Sequence, residues 1–292
     1  MQLSLVIGSR DRAAQLAVSL GKLNLAAMAR LGVDIVLVDS ASADATSEVM
    51  TRFATTCGLP AQVIRLDRPG ASAARNAGAR GARGDVLIFT DDDCYLDEAY
   101  FDVIAQTVDP ARFHYGGGDT RLFDPTDDYS GVTNLDEFQG RPAEIPPSRL
   151  LPSGMLQAAN MFFVKTVFET LGGFNEALGA GTPFPCEDIE LCTRASLRGY
   201  TGLLIPAAKV LHHHGRKTGS PALAETHRGY DRGRGAYFAH LIASGQSSVF
   251  ELWAKGPHFK GQGPMPPNAL NILRNEMRGA ADYLDMIMDQ TN

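Results

Sequence analysis

The sequence predicts an α/β fold in which mainly parallel strands are covered by helices on both faces. Three observations predict it. The first ninety residues alternate short apolar runs with segments of helical spacing. The runs are continuously apolar, as strands buried on both faces are. The chain is 292 residues long, with 44% hydrophobic and 21% charged residues. That supplies a sizeable core and excludes a wholly disordered chain.

Each element follows from its residues. Residues 3–7 form the first strand. Residues 10–30 carry helical spacing, with Leu16, Leu20, Leu23 and Ala27 on one side. Residues 33–38 form a second strand ending at Asp39, and 44–57 a second helix with Asp44 as N-cap. Residues 61–66 read as a third strand, 70–83 as an Ala/Arg-rich helix and 85–90 as a fourth strand. This β-α-β-α-β-α-β rhythm implies a parallel sheet. The middle is less regular: residues 124–153 hold five prolines and read as a long functional loop. Residues 155–165 are strand-like, 187–199 helical and 202–211 extended. From about 225 onward the pattern is helical with Gly and Pro breaks. The expected organisation is one domain over 1–220 and a helical extension over 221–292 packed on it.

The net charge of −6 argues against wholesale nucleic-acid binding. The basic residues are 21 Arg and six Lys. Arg suits bidentate phosphate recognition, although genomic base composition also produces that skew. No stretch approaches the roughly 20 apolar residues that span a bilayer. The first strand is too short for a signal-peptide core and lacks a basic leader, so a cytoplasmic chain is expected. Cys57, Cys94, Cys186 and Cys192 form no CxxC pair and no zinc spacing, and reduced structural thiols are the reading for that compartment.

In parallel α/β sheets, ligands bind beyond the carboxyl ends of the strands. That rule selects Gly8, Ser9 and Arg10 after the first strand, Asp39 after the second, and Asp91, Asp92 and Asp93 after the fourth. Three adjacent carboxylates repel one another unless a cation or hydrogen-bond donors offset them. Hard oxygen ligands suit Mg²⁺ or Mn²⁺. The bland alternative is a polar turn with Asp93 capping a helix. Asp39 can accept from a nucleobase N–H or a ribose hydroxyl, while the Ser40, Ser42, Asp44 and Thr46 that follow are also ordinary turn and cap residues. Gly70 leads into a small-residue helix that brings Arg75 toward phosphate or base. Gly78, Gly81 and Gly84 lack a Walker lysine and the dinucleotide spacing, and read as close packing and a C-cap. Glu187 and Asp188 open a helix, where its dipole favours negative charge; one of them can serve as a general base. In the run His212-His213-His214, alternation puts His212 and His214 on one strand face, where an imidazole can complete a metal site.

In this order the motifs resemble the inverting family 2 glycosyltransferases of GT-A fold. The matching segments are Val38-Asp39-Ser40 with Ser42, Asp44 and Thr46; Gly70 with Ala74-Arg75-Asn76-Ala77-Gly78; Asp91-Asp92-Asp93; Gly172-Gly173-Phe174-Asn175-Glu176, with Asn where the family usually has Asp; Glu187-Asp188 with Leu191 and Arg194; and His212. The resemblance covers roughly residues 1–215. It implies that Asp39 bonds the nucleobase of a nucleoside-diphosphate sugar, with Gly8, Ser9, Arg10, Arg75 and Asp92 lining the donor pocket. Asp91 would lie near ribose and metal. Asp93, with His212, would hold Mn²⁺ or Mg²⁺. Asp188 would deprotonate the acceptor hydroxyl, and Asn160 and Glu187 would wall the acceptor site.

A diphosphate leaving group calls for a cation, and a neutral alcohol acceptor for a base. Residues 124–153 or 215–225 would form a lid that excludes water. Processive relatives carry membrane helices and a Q-x-x-R-W segment. This chain has neither, and its only Trp is Trp253. Transfer of one sugar to a glycan, small-molecule or membrane-surface lipid acceptor is therefore expected, with UDP as the weakly preferred nucleotide and the protein cytoplasmic or peripheral at the inner membrane face. Homo-oligomerisation is left open. The rival readings are a sugar nucleotidyltransferase, which would open with a Gly-rich loop bearing Arg and Lys, and an inactive nucleotide-sugar-binding module.

Overall fold

The structure, a computed structural model, describes residues 1–254 and 267–289. The elements run β1 (Leu3–Ser9), α1 (Ala13–Gly21), α2 (Leu25–Leu31), β2 (Asp34–Asp39), α3 (Thr46–Thr56), β3 (Ala61–Arg65), α4 (Ala71–Gly81), β4 (Val86–Asp91), β5 (Cys94–Leu96), α5 (Tyr100–Thr107), β6 (Tyr115–Leu122), β7 (Ala143–Ile145), β8 (Met161–Val164), α6 (Lys165–Thr170), α7 (Glu187–Leu197), β9 (Gly202–His212), α8 (Pro221–Ala243), α9 (Val249–Ala254) and α10 (Pro267–Asp289). Parts of the predicted C-terminal helical segment, 255–266 and 290–292, lie outside the described residues.

The sheet runs β3-β2-β1-β4-β8-β6-β9-β5, with β7 paired to β9. Its first half is parallel: β2 and β4 flank β1, and β3 flanks β2. The second half is mixed, because β8 runs antiparallel to both β4 and β6 while β6 and β9 are parallel. The expectation of a mainly parallel sheet therefore holds for the first half and is corrected for the second.

The core strands are buried because Leu5, Val6, Ile7, Ile35, Val36, Leu37 and Val38 have no polar side to present to water. In register, Ser9 lies beside Asp39 and Gly8 beside Asp91. The polar strand ends thus align along one edge.

Three differences from the sequence reading have physical causes. The helix expected over 10–30 is two, broken where Asn24 caps α2 by accepting from the Ala27 N–H. The strand-like stretch 155–165 is strand only over β8, preceded by a 3₁₀ turn at Ala158–Asn160. The unanticipated strand β6 begins Tyr-Gly-Gly-Gly, a composition with poor strand propensity. Side chains there have no room: a Cβ at Gly116 would lie 2.0 Å from the Leu203 carbonyl, and one at Gly118 1.9 Å from that of Ala208.

The C-terminal helices cover the open side of the edge. Ser220 caps α8 and Pro221 starts it. Tyr237 bonds Thr193 Oγ1 at 2.6 Å and donates to the Leu151 carbonyl, holding α8 on α7. Helix α10 packs against α8 at glycines: a Cβ at Gly235 would lie 1.8 Å from the Glu276 carbonyl. Among the described residues, no helix is long and apolar enough to cross a membrane. The four cysteines are free. Burial pushes the thiols of Cys94, Cys186 and Cys192 well above the ordinary range, as suits inert packing groups.

Candidate active site

The strand ends open into a cleft of about 890 Å³, bounded by the β1, β4 and β9 termini on one side and by α7, α8 and the Ala158–Ala159 turn on the other. The β1–α1 turn is stapled by the segment after β2. Ser42 Oγ accepts from the Asp11 N–H, Asp44 from the Ala13 N–H, and Thr46 Oγ1 from the Arg12 N–H. Asp44 also accepts from the Thr46 N–H at 2.9 Å, one position ahead of the helix boundary at Ala45. Ser42, Asp44 and Thr46 are therefore turn-building residues, and they place Arg12 over the acidic cluster.

On this wall every carboxylate meets a cation. Arg12 contacts Asp92 at 2.9 Å and Asp93 at 2.7 Å. Ser9 Oγ donates to Asp92, yet burial still raises the Asp92 carboxyl to about 6. Asp93 lies 3.3 Å from His212 Nε2. Burial pushes Asp93 up, but the His212 bond and charge, with Arg12 and Arg216, prevail and hold it below the ordinary range. Burial lowers His212 and its bond to Asp93 more than restores it, so the imidazole pKa is raised. Asp91 is bound at 2.8 Å by Arg75.

The opposite wall is built differently. Asp188, half-buried at the start of α7, accepts from the Ile189 N–H at 2.7 Å and the Ala158 N–H at 3.3 Å. Burial first, then the neighbouring Glu187 charge, raises its carboxyl from 3.8 to about 7. Glu187 faces Arg75 at 2.6 Å. The buried Arg75 thereby bridges β4 and α7. Burial lowers its pKa, but Asp91 and Glu187 raise it further, so it is permanently cationic.

Residues 4–151 match the Glycosyl transferase family 2 model. The chain belongs to that family. It is 24% identical over 168 residues to the glycosyltransferase AglE of Haloferax volcanii, an alignment covering 58% of this chain and 52% of that protein. The chain thus spans about half the length of that curated relative. The fold is similar to mannosyltransferase PcManGT from Pyrobaculum calidifontis, solved with GDP-Man and Mn²⁺, at TM-score 0.60 and 17% identity over 98% of this chain and 75% of that one. It is also similar to S. aureus TarS 1-349 in complex with UDP-GlcNAc, at TM-score 0.57 and 15% identity over 97% and 84%.

In this family 2 member, Gly8, Ser9, Arg10, Arg75, Asp91, Asp92, Asp93, Glu187, Asp188 and His212 all line the one cleft. Several differ from their expected attitudes. Asp39 is fully buried, its oxygens taken by the Ser42 N–H and by Arg65, and Ser40 lines the cleft in its place. Arg75 and Glu187 are committed to each other, where a phosphate contact and an acceptor contact were expected. Asn160 turns away from the cleft: its amide donates to the Asp119 and Ala208 carbonyls and accepts from Tyr100, while Ala158 and Ala159 form the wall. His214 lies beyond the end of β9, and its ring packs edge-on against that of His212 with centroids 5.1 Å apart, next to Asp127 and behind the cleft lining.

A divalent cation fits this donor set. Asp93, Cys94 and His212 offer atoms within 4.8 Å of one another. Asp93 and His212 line the cleft, whereas Cys94 does not and offers a soft sulfur where Mn²⁺ or Mg²⁺ takes hard oxygen donors. Asp91, expected as a ligand, lies outside that grouping and is held by Arg75.

Residues 124–132 and 212–218 act as one wall, joined by Lys217 to Asp124 at 2.8 Å and to Asp127 at 2.6 Å. The sequence reading missed Arg12, Arg216, His227, Tyr230 and Arg234, all on the cleft. Arg216 is the most informative, because its Nη1 is buried without a hydrogen-bond partner among the described residues. His227, Tyr230 and Arg234 stand at helical spacing on α8, but no local period links them to Arg12 or Arg216; their proximity follows from the path of β9 and α8.

Proposed function

We propose that this chain transfers a single sugar from a nucleoside-diphosphate donor to an acceptor hydroxyl, with inversion by single displacement and dependence on Mn²⁺ or Mg²⁺. The observation that carries the reading is one cleft with two opposed chemistries: Asp93 paired with His212 on one wall, and Asp188, with a carboxyl near neutrality, on the other. Family membership and the nucleotide-sugar complexes of similar folds support it.

A cation held by Asp93 and His212 would supply Lewis acidity to the leaving diphosphate. Asp188 takes the acceptor hydroxyl proton as the acceptor oxygen bonds the anomeric carbon and the carbon–phosphate-oxygen bond breaks. Arg216 lines the same cleft, and its guanidinium, with one buried nitrogen lacking a hydrogen-bond partner among the described residues, is a cation available to phosphate charge. His227 and Tyr230 of α8 narrow the mouth against water. A base facing a diphosphate site requires no enzyme nucleophile, which is the basis for inversion. UDP remains the preferred nucleotide, and Asp39 serves base recognition once Arg65, whose side chain is 54% exposed, swings aside. The absence of Q-x-x-R-W supports non-processive action on a glycan, small-molecule or lipid-linked acceptor, at the cytoplasm or the inner membrane face.

The test is a donor panel with Mn²⁺ and Mg²⁺. A true donor at 100 times its Kd stabilises by about 2.7 kcal/mol. Turnover should release a nucleoside diphosphate. Release of pyrophosphate would indicate a nucleotidyltransferase, and binding without turnover across acceptors an inactive module.

A further inference from the structure

Among the described residues that line the cleft, two bear a buried side-chain polar atom with no hydrogen-bond partner: Ser130, at Oγ, and Arg216, at Nη1. An unpaired buried polar atom is costly, and buried polar groups are normally satisfied. Two of them on one cavity point to a group that the cavity receives.

The fold sets the two residues side by side. Ser130 lies on the loop after β6, and Arg216 on the segment between β9 and α8. Asp128 ties these segments together. Its N–H donates to the Arg216 carbonyl at 2.8 Å. Its carboxylate accepts from the Ser130 N–H at 3.0 Å and from the Thr218 hydroxyl at 2.9 Å. His214 closes the clip: its Nδ1 accepts from the Arg216 N–H at 3.0 Å, which leaves Nε2 to donate to the Asp128 carbonyl at 3.1 Å. The buried Asp127 accepts from the Gly215 N–H at 2.9 Å. One residue after Ser130, Gly131 takes a left-handed φ of 72°. Its carbonyl lies 3.0 Å from His212 Nδ1, across the ring from the Nε2 that meets Asp93. Ser130 therefore stands between the residue that holds Arg216 and the residue that holds His212.

We propose that Ser130 is a further donor-binding residue, whose hydroxyl donates to a phosphate oxygen of the leaving diphosphate in one anion pocket with Arg216. The inference rests on the metal-dependent donor site proposed above and adds a residue to it. A guanidinium offers charge and directed N–H groups to a phosphate, and a serine offers one O–H donor. A neutral sugar hydroxyl would satisfy the serine but leave the arginine without a counter-charge. The place of the pocket beside His212 assigns it to the donor diphosphate and not to a phosphate on the acceptor.

Manganese pyrophosphate is the probe, because it carries the charge without a base or a sugar. In titration calorimetry of the full chain, Ser130→Ala should bind it about tenfold more weakly or worse. Arg216→Met should lose more, and Ser130→Thr should recover most of the loss. The ligand-free melting temperature of Ser130→Ala should not fall below that of the parent, since the hydroxyl has no internal bond to lose. A lower melting temperature together with unchanged binding would mark Ser130 as structural and overturn the inference. Equal binding by the parent and Ser130→Ala would overturn it while leaving the donor site intact. Failure of manganese pyrophosphate to bind the parent, or equal binding by Asp93→Asn, would remove the donor-site reading and this inference with it. A loss in Ser130→Ala confined to an alkyl phosphate bound together with UDP would move the pocket to a phosphorylated acceptor and overturn the assignment to the donor.

Discussion

The two walls of the cleft use the same residue type in opposite settings. On the strand-end wall, Asp91, Asp92 and Asp93 are each met by an arginine, and Asp93 by His212 as well. On the helix wall, Asp188 receives only two backbone N–H groups and has Glu187 beside it. Glu187, not Asp188, receives the arginine. The difference teaches that a carboxylate's role is set by its counter-charges. Asp93 stays ionised and suits a cation, whereas Asp188 titrates near neutrality and suits proton transfer.

The contrast can be broken most strongly at Asp188. Asp188→Asn keeps size and hydrogen bonding but removes the base, and should lower kcat by about 10²–10⁴-fold while donor-dependent thermal stabilisation persists. Asp93→Asn should do the reverse in order, removing metal-dependent donor stabilisation first. Loss of both properties in Asp188→Asn would end its assignment as the base.

The next largest effect is expected at the bridge between the walls. Arg75→Met leaves the buried Glu187 without its cation and should cost about 3–5 kcal/mol in urea unfolding. Arg75→Lys should recover only part of this, since one ammonium cannot span Asp91 and Glu187 as the two guanidinium nitrogens do.

The pH profile sharpens the comparison without mutation. With Asp188 near 7, kcat/KM should rise by about tenfold per pH unit below 7 and level off above it. Stability should move the opposite way through this residue. Its folded-state pKa is raised, so the native state keeps a proton that the unfolded chain has lost between pH 3.8 and about 7. Native stability therefore falls as pH rises through that window. Asp188→Asn removes this cost, and should melt higher than the parent at pH 8 with the gap closing below pH 4.

The smallest effect tests the backbone of the strand-end wall. Ala41 has a left-handed φ of 60° in the segment that staples the β1–α1 turn. Ala41→Gly relieves that strain and should stabilise by about 1 kcal/mol or less, after the entropy cost of glycine.

Much of this site was legible in the residues. The acids after β4, the Asp39 turn, the Gly70-led helix, Glu187-Asp188 and His212 were all singled out from strand ends and motif order. The motif residues Asn76 and Arg194 have an additional use. Asn76 accepts from the Phe174 N–H and donates to its carbonyl, and Arg194 donates to the Gly173 carbonyl. They hold the Gly172-Gly173-Phe174 loop between α4 and α7, which a linear motif does not disclose. Arg12 was overlooked because an arginine in an exposed turn has no periodic signature. Strand β6 was overlooked because its glycines are required by close backbone contacts and oppose local propensity.

The sequence by itself determined the layered sheet and the carboxylates at its edge, because hydrophobic period and turn chemistry are local properties of the chain. Only the tertiary structure decided which acid would be neutralised. Arg75 and Glu187 are 112 residues apart and meet at 2.6 Å, and no local pattern encodes that encounter. Burial and counter-charge set ionisation, and both depend on where the folded chain brings its distant segments together.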